Sequence, residues 1–145
     1  MAITTAMCSS FKTELLGGLH DLDTDSLKLA LIKASPSGTY GVATTNYSNV
    51  TGASDEASGT NYSAGGQALG SPSIALDGTT ATVDFADEVF SNVTTSADGC
   101  IIYNTANSNS AICVIDFGGT VSATAGDLTI QFPAANASNA VIRIA

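Results

Sequence analysis

Hydrophobic positions change their period along the chain. Phe11, Leu15, Leu16 and Leu19 share one side of a 3.6-residue repeat, with Ser10 as a capping residue and Glu14 in the first turn. This spacing predicts a short helix within residues 1–20, stopped by Gly17-Gly18. From Ser26 the period is two, with Leu27, Leu29 and Leu31 pointing one way and Lys28, Ala30 and Ile32 the other, as in a strand. Ser35-Pro36-Ser37-Gly38 closes that strand. Residues 38–72 lose the pattern and read as a long polar loop region, with Tyr40, Tyr47 and Tyr62 as its bulky groups; a structureless loop of this length is unusual in a compact domain, so the stretch either holds short helical turns and strands or is a functional loop.

Beyond residue 72 the alternation is steady. Residues 74–76 and 80–85 flank Asp77-Gly78, a two-residue hairpin signal, with Ala81, Val83 and Phe85 facing inward and Thr80, Thr82 and Asp84 outward. Val89-Phe90 is a short further piece. Residues 100–103 and 111–117 form a second hairpin around the polar loop 105–109, and 127–132 and 140–144 close the chain, the last strand paired inside a sheet. About eight strands and one N-terminal helix predict a single all-β domain over residues 1–145, a β-sandwich of jelly-roll type. The expected core is Leu27, Leu29, Leu31, Val83, Phe85, Ile101, Tyr103, Val114, Phe117, Ile130 and Phe132.

Composition sharpens this picture. At 145 residues and 44% hydrophobic, the chain has enough apolar material for a real core and is not a disordered tail. Only 12% of residues are charged; polarity comes from Ser, Thr, Asn and Gly, which suit strands, turns and surfaces that desolvate cheaply against other protein. The net charge of -9 and only four cations (Lys12, Lys28, Lys33 and Arg143) argue against nucleic-acid and membrane-surface partners. Residues 1–7 have no basic region or apolar stretch of a signal peptide, and no apolar run approaches the ~20 residues of a membrane span, so folding in the cytosol is expected. Cys8, Cys100 and Cys113 are odd in number and lack CxxC spacing, which reads as small buried hydrophobes. Sequons starting at Asn46, Asn49, Asn61, Asn92 and Asn136 are expected by chance in so Asn-, Ser- and Thr-rich a chain.

Candidate chemistry is sparse. His20 stands beside Asp21, Asp23 and Asp25, the spacing of the first ligands of an EF-hand loop, but Ser26 replaces its glycine and Ile32 its closing glutamate. The expected alternative is a solvated turn in which His20 and Asp23 are dispensable for stability. No G-x-S-x-G occurs, Cys100 and Cys113 have apolar neighbours, and Asp87-Glu88 are adjacent and so point apart on a strand. Gly65-Gly66 and Gly118-Gly119 lack the following Lys-Ser/Thr of a phosphate loop. These features predict no enzyme, no cofactor and no metal. The tyrosines of 38–72 have the composition of a contact surface; the alternative is that each hydroxyl pins its loop to the core.

The opening Met1-Ala2-Ile3-Thr4-Thr5-Ala6-Met7-Cys8, then Ser10-Phe11-Lys12 and Glu14-Leu15-Leu16, resembles a group of small structural proteins encoded in tailed-bacteriophage genomes near virion genes. Residues 100–104, Ile115-Asp116-Phe117-Gly118-Gly119 and 126–133 resemble the C-terminal half of the same group. The resemblance covers both ends, is weakest across 38–72, and implies a virion component made in the host cytoplasm. Absence of repeats or heptads favours a capsid decoration or cement protein over a tail or fibre-associated adhesion protein, and absence of Trp disfavours a glycan-binding module. Expected partners are the major capsid protein or other virion proteins, with self-association as a dimer or trimer. The expected contact regions are residues 1–19 and loop 38–66, with Phe11, Leu15, Leu16, Tyr40, Tyr47 and Tyr62 as contact residues.

Overall fold

The computed structural model describes residues 2–145 and is built mainly of strands in antiparallel sheets. In chain order its elements are β1 (Ala2–Ile3), β2 (Ala6–Met7), helix α1 (Ser9–Leu16), β3 (Leu27–Lys33), β4 (Thr39–Tyr40) and helix α2 (Ser48–Gly52). There follow β5 (Gln67–Ala68), β6 (Ser73–Asp77), β7 (Thr80–Asp84), β8 (Glu88–Asn104), a 3-10 turn (Thr105–Asn107), β9 (Ser110–Ile130) and β10 (Ile142–Ile144). The predicted second hairpin is a ribbon of 17 and 21 residues, longer than the alternation suggested. Register shifts after Phe90, Val93, Ala97 and Ile102 carry β8 and β9 through their bends without ending the pairing.

That ribbon anchors a five-stranded sheet of order β2-β9-β8-β3-β5, while β10-β7-β6 makes a second sheet of three strands. One hydrophobic cluster joins Val83 and Ile142 of the small sheet, and Phe85 just past β7, to Leu29, Ile101 and Val114 of the large one, giving the all-β sandwich expected from the sequence. The strand orders differ from the two four-stranded sheets of a jelly roll, and ten strands occur among the described residues in place of about eight. β10 is paired, as expected of the last strand, but it stands at the edge of its sheet with β7 as its one neighbour among the described residues.

Most predicted core positions are buried; Phe117 and Ile130 are half-buried because they lie where β9 runs past the rest of its sheet. β3 has no solvent face: Ala30 and Ile32 are as buried as Leu29 and Leu31. Thr80 and Thr82, expected to face out, are buried on the second face of β7. The first hairpin turns on Gly78-Thr79, with Asp77 paired to Thr80 as the last strand residue and Gly78 at φ 62° supplying the left-handed position.

Residues 38–72 are not a structureless loop: they hold the short pieces β4, α2 and β5, the first of the two readings open from the sequence. Thr39–Tyr40 pairs in parallel with β1, Ala111 N–H bonds Thr45 O, and Tyr47 N–H bonds Asn109 O, which ties the segment to β1 and to the C-terminal side of the ribbon turn. Lys33 N–H bonds Asp55 O, Ala57 N–H bonds Leu31 O, and Thr94 N–H bonds Thr60 O, so the segment runs along β3 and then onto β8. Backbone pairing of this kind leaves no periodic side-chain signature, since one partner is irregular.

Candidate interaction surface

The tyrosines predicted as contacts point inward. Tyr40 is buried, and its hydroxyl donates to Asp55 Oδ2 at 2.6 Å. Asp55 is itself fully buried; it accepts from Ser37 N–H at 3.0 Å and Gly38 N–H at 2.7 Å and pairs with Lys33 Nζ at 3.0 Å. Burial alone raises the Asp55 carboxyl, but these donors outweigh it and hold the pKa well below the usual carboxylate range. Half-buried Tyr47 and Tyr62 donate to the two oxygens of Glu56 at 2.5 and 3.0 Å, and the Tyr62 hydroxyl also accepts from Leu31 N–H at 3.0 Å. Tyr47 stacks on Tyr103 with ring centroids 4.4 Å apart, and Tyr103 donates to Gly65 O at 2.7 Å. Burial pushes the Tyr103 hydroxyl up to about 12, and it likewise raises Tyr40, Tyr47 and Tyr62. The contact role expected for these three tyrosines is therefore corrected: the Tyr40 and Tyr47 hydroxyls are spent on carboxylates of their own segment, and the Tyr62 hydroxyl joins Glu56 to Leu31 of β3.

The helix divides in the same way. Phe11 is 0% exposed and packs on the His20 ring at 5.0 Å, so it is core and not contact. Ser9 begins α1 with no side-chain cap, and the Ser10 hydroxyl, expected to cap, is buried with no hydrogen-bond partner among the described residues. His20 is buried as well, against the expectation of a solvated turn. Its Nε2–H donates to Glu14 at 2.6 Å and its Nδ1 accepts from the Asn104 amide at 2.9 Å. Asn104 also donates to Asp25 at 2.6 Å. Asp21 and Asp23 stay at the surface, turned on themselves by an Asp23 N–H to Asp21 Oδ1 bond of 3.1 Å, and no group of His, Cys, Asp and Glu among the described residues could hold a metal.

What remains open is apolar. Past Phe11 the helix exposes Leu16 at 92% and then Leu19, with Leu15 half-buried beneath them. On one face of the small sheet, pairing places Ile142, Val83 and Ile74 in one row and Ile144, Ala81 and Leu76 in the next. Ile142 and Val83 are covered, but Ile74 is 53% exposed, Leu76 71% and Ile144 47%. A groove of about 400 Å³ runs between α1 and β10, floored by Met7, Leu15, Leu16 and Ile144 and flanked by Lys12 and Arg143. A second of about 380 Å³ runs from Leu15 and Leu22 across to Ile74 and Ile144. They share Leu15 and Ile144, so the end of α1 and the small sheet present one continuous aliphatic surface. Neither rim cation has a carboxylate within ion-pair distance among the described residues. Leu15 and Leu16 are thus the predicted contact residues that the structure brings together; Ile74, Leu76 and Ile144 were missed, although all three stand in segments read as strands.

Elsewhere the chemistry is quiet. A cavity of about 590 Å³ between β2, β9 and the C-terminal segment has Arg143 as its only charged side chain among the described residues. The three cysteines are unpaired and buried, and burial raises Cys8 to about 11, Cys100 to about 12 and Cys113 well above its ordinary value, so the thiols stay protonated. No helix among the described residues is long and apolar enough to cross a membrane. Compared with known proteins, the chain matches no family model, no curated protein and no solved structure.

Proposed function

We propose that this protein is a non-enzymatic structural component of a tailed-phage particle, coating or cementing the capsid shell through protein–protein contacts. The observation that carries the reading is the aliphatic surface of Leu15, Leu16, Ile74, Leu76 and Ile144, exposed on a chain in which only 12% of residues are charged. A contiguous apolar surface on a folded domain is an interaction site before it is anything else. Two unpaired cations on its rim, in a protein of net charge -9, favour a partner that offers aliphatic side chains beside carboxylates. The phage setting comes from the sequence resemblance at both chain ends. Weak individual contacts suit a lattice protein, because repetition on the shell raises effective concentration.

Quantitative mass spectrometry of purified particles tests the location: close to one copy per major capsid chain is expected, and a signal that follows isolated tails overturns the capsid reading in favour of a tail or fibre role. Leu16→Asp should weaken binding to undecorated shells while the free protein keeps its melting temperature.

A further inference from the structure

The small sheet ends at β6, and all five of its residues are exposed. Asp77 and Thr80 close the two-residue turn and so form a hydrogen-bonded pair, after which bonded and non-bonded pairs alternate. Ser73, Ala75 and Asp77 therefore aim their backbone groups at β7. Ile74 and Leu76 aim theirs at the open edge, where no other element of the described chain reaches them. Pro72 on one side and the turn on the other limit this edge to five residues.

Proteins usually blunt such an edge with charge, proline or a bulge. The outer edge of β9 is blunted in this way: Gly118 and Ala125 have positive φ, and Asp116 and Asp127 punctuate it. β6, with the sequence Ser-Ile-Ala-Leu-Asp, carries no bulge, no lysine and no internal proline.

We propose that β6 pairs antiparallel with β6 of a second copy, about a twofold axis through Ala75. Of the registers open to a twofold pair, this one matches all five residues. It sets Ile74 opposite Leu76 of the second copy, and these are the two residues whose N–H and C=O groups face outward, so each such pair exchanges two hydrogen bonds. Ala75 meets its own copy as the non-bonded pair at the axis. The one carboxylate of the edge, Asp77, falls opposite the Ser73 hydroxyl, so two chains of net charge -9 meet there with no like charges opposed. Two three-stranded sheets become one of six, and the row Ile142, Val83, Ile74 continues into Leu76, Ala81 and Ile144 of the second copy. The inference rests on sheet geometry and does not require the capsid reading. A five-residue edge buries little area, so the dimer is reversible and concentration-dependent.

Sedimentation velocity on the purified full chain over a wide concentration range should show a monomer–dimer equilibrium. Leu76→Lys should move its midpoint roughly tenfold or more upward by setting a cation against Ile74 in both pairs. Ala75→Cys should form a disulfide-linked dimer on mild oxidation, because non-bonded partners have Cα atoms about 4.5 Å apart, within disulfide reach. Ser73→Cys should not, since the two copies then lie about 13 Å apart along the strands. The native cysteines are buried and do not compete. Ala75 is an exposed residue, so Ala75→Cys decides the matter even if circular dichroism shows Leu76→Lys to be misfolded. A chain that stays monomeric with Ala75→Cys unlinked overturns the proposal, as does equal linking of Ala75→Cys and Ser73→Cys, or self-association that a folded Leu76→Lys leaves unchanged.

Discussion

Segment 38–66 and hairpin β6–β7 invert each other. The first is polar and irregular, yet its tyrosines and two carboxylates lie against the large sheet: Tyr40 on Asp55, Tyr47 and Tyr62 on Glu56. The second is regular and aliphatic, yet Ile74 and Leu76 face solvent. Hydrophobicity alone ranks them the wrong way round. A buried tyrosine removes a large ring from water while its hydroxyl keeps a partner, so a polar segment is held tightly once each polar atom is matched. An aliphatic strand at a sheet edge has no such matching and stays available.

Substitutions test this contrast directly. Asp55→Ala should have the largest effect, a loss of about 3–5 kcal/mol in urea unfolding, because it takes the acceptor from the buried Tyr40 hydroxyl and from two N–H groups and the ion-pair partner from Lys33. A loss below about 1 kcal/mol would remove the carboxylate from the set of fasteners. The same group gives a pH signature. Its folded pKa lies below the unfolded value of about 3.9, so its stabilisation is present above that pH and is lost as pH falls toward the depressed value. Asp55→Asn should flatten the stability profile between about pH 4 and pH 2, and an unchanged acid limb would assign the slope to other acids.

Tyr62→Phe should cost about 1.5–3 kcal/mol, the range for a hydrogen bond to a charged group, since Glu56 loses one donor and Leu31 N–H its acceptor. His20→Ala should cost about 1–3 kcal/mol, as Asn104 and Glu14 lose their shared partner and Phe11 a packed ring. No change on thermal unfolding would restore the solvated-turn reading. At the other end of the comparison, Leu16→Ser and Leu76→Ser should stay within about 0.5 kcal/mol of the parent. A larger loss in either would mean that the surface serves the fold and not a partner.

The strands were legible where side chains alternate against a regular neighbour. The turn at Gly78 and the ribbon flanking 105–109 were visible for that reason, as was the core row of β3. What the pattern hid was pairing by irregular backbone. Residues 55–60 bond β3 and β8 through N–H and C=O groups that every sequence possesses, so Asp55 and Glu56 look like loop acids until the tyrosines are placed around them. Exposure of Ile74 and Leu76 was equally hidden, since an alternating apolar strand shows which face is shared and not whether anything lies on it. His20 was misjudged because Asn104, its partner, is 84 residues away in sequence.

The ribbon of β8 and β9 has a kinetic corollary. Its partners range from Asn104 with Ser110 to Glu88 with Ile130, and every pair encloses the one before it around the same turn. Each new pair therefore closes only a small additional loop once its predecessor is made, so long-range contacts form at short-range entropic cost. Formation of the turn itself becomes the uphill step. There Asn104 accepts from Ala106 N–H, and Ser108 and Asn109 hold left-handed φ of 50° and 61°. The rate at which the sandwich assembles is thus vested in the five turn residues 105–109, which lie outside its core.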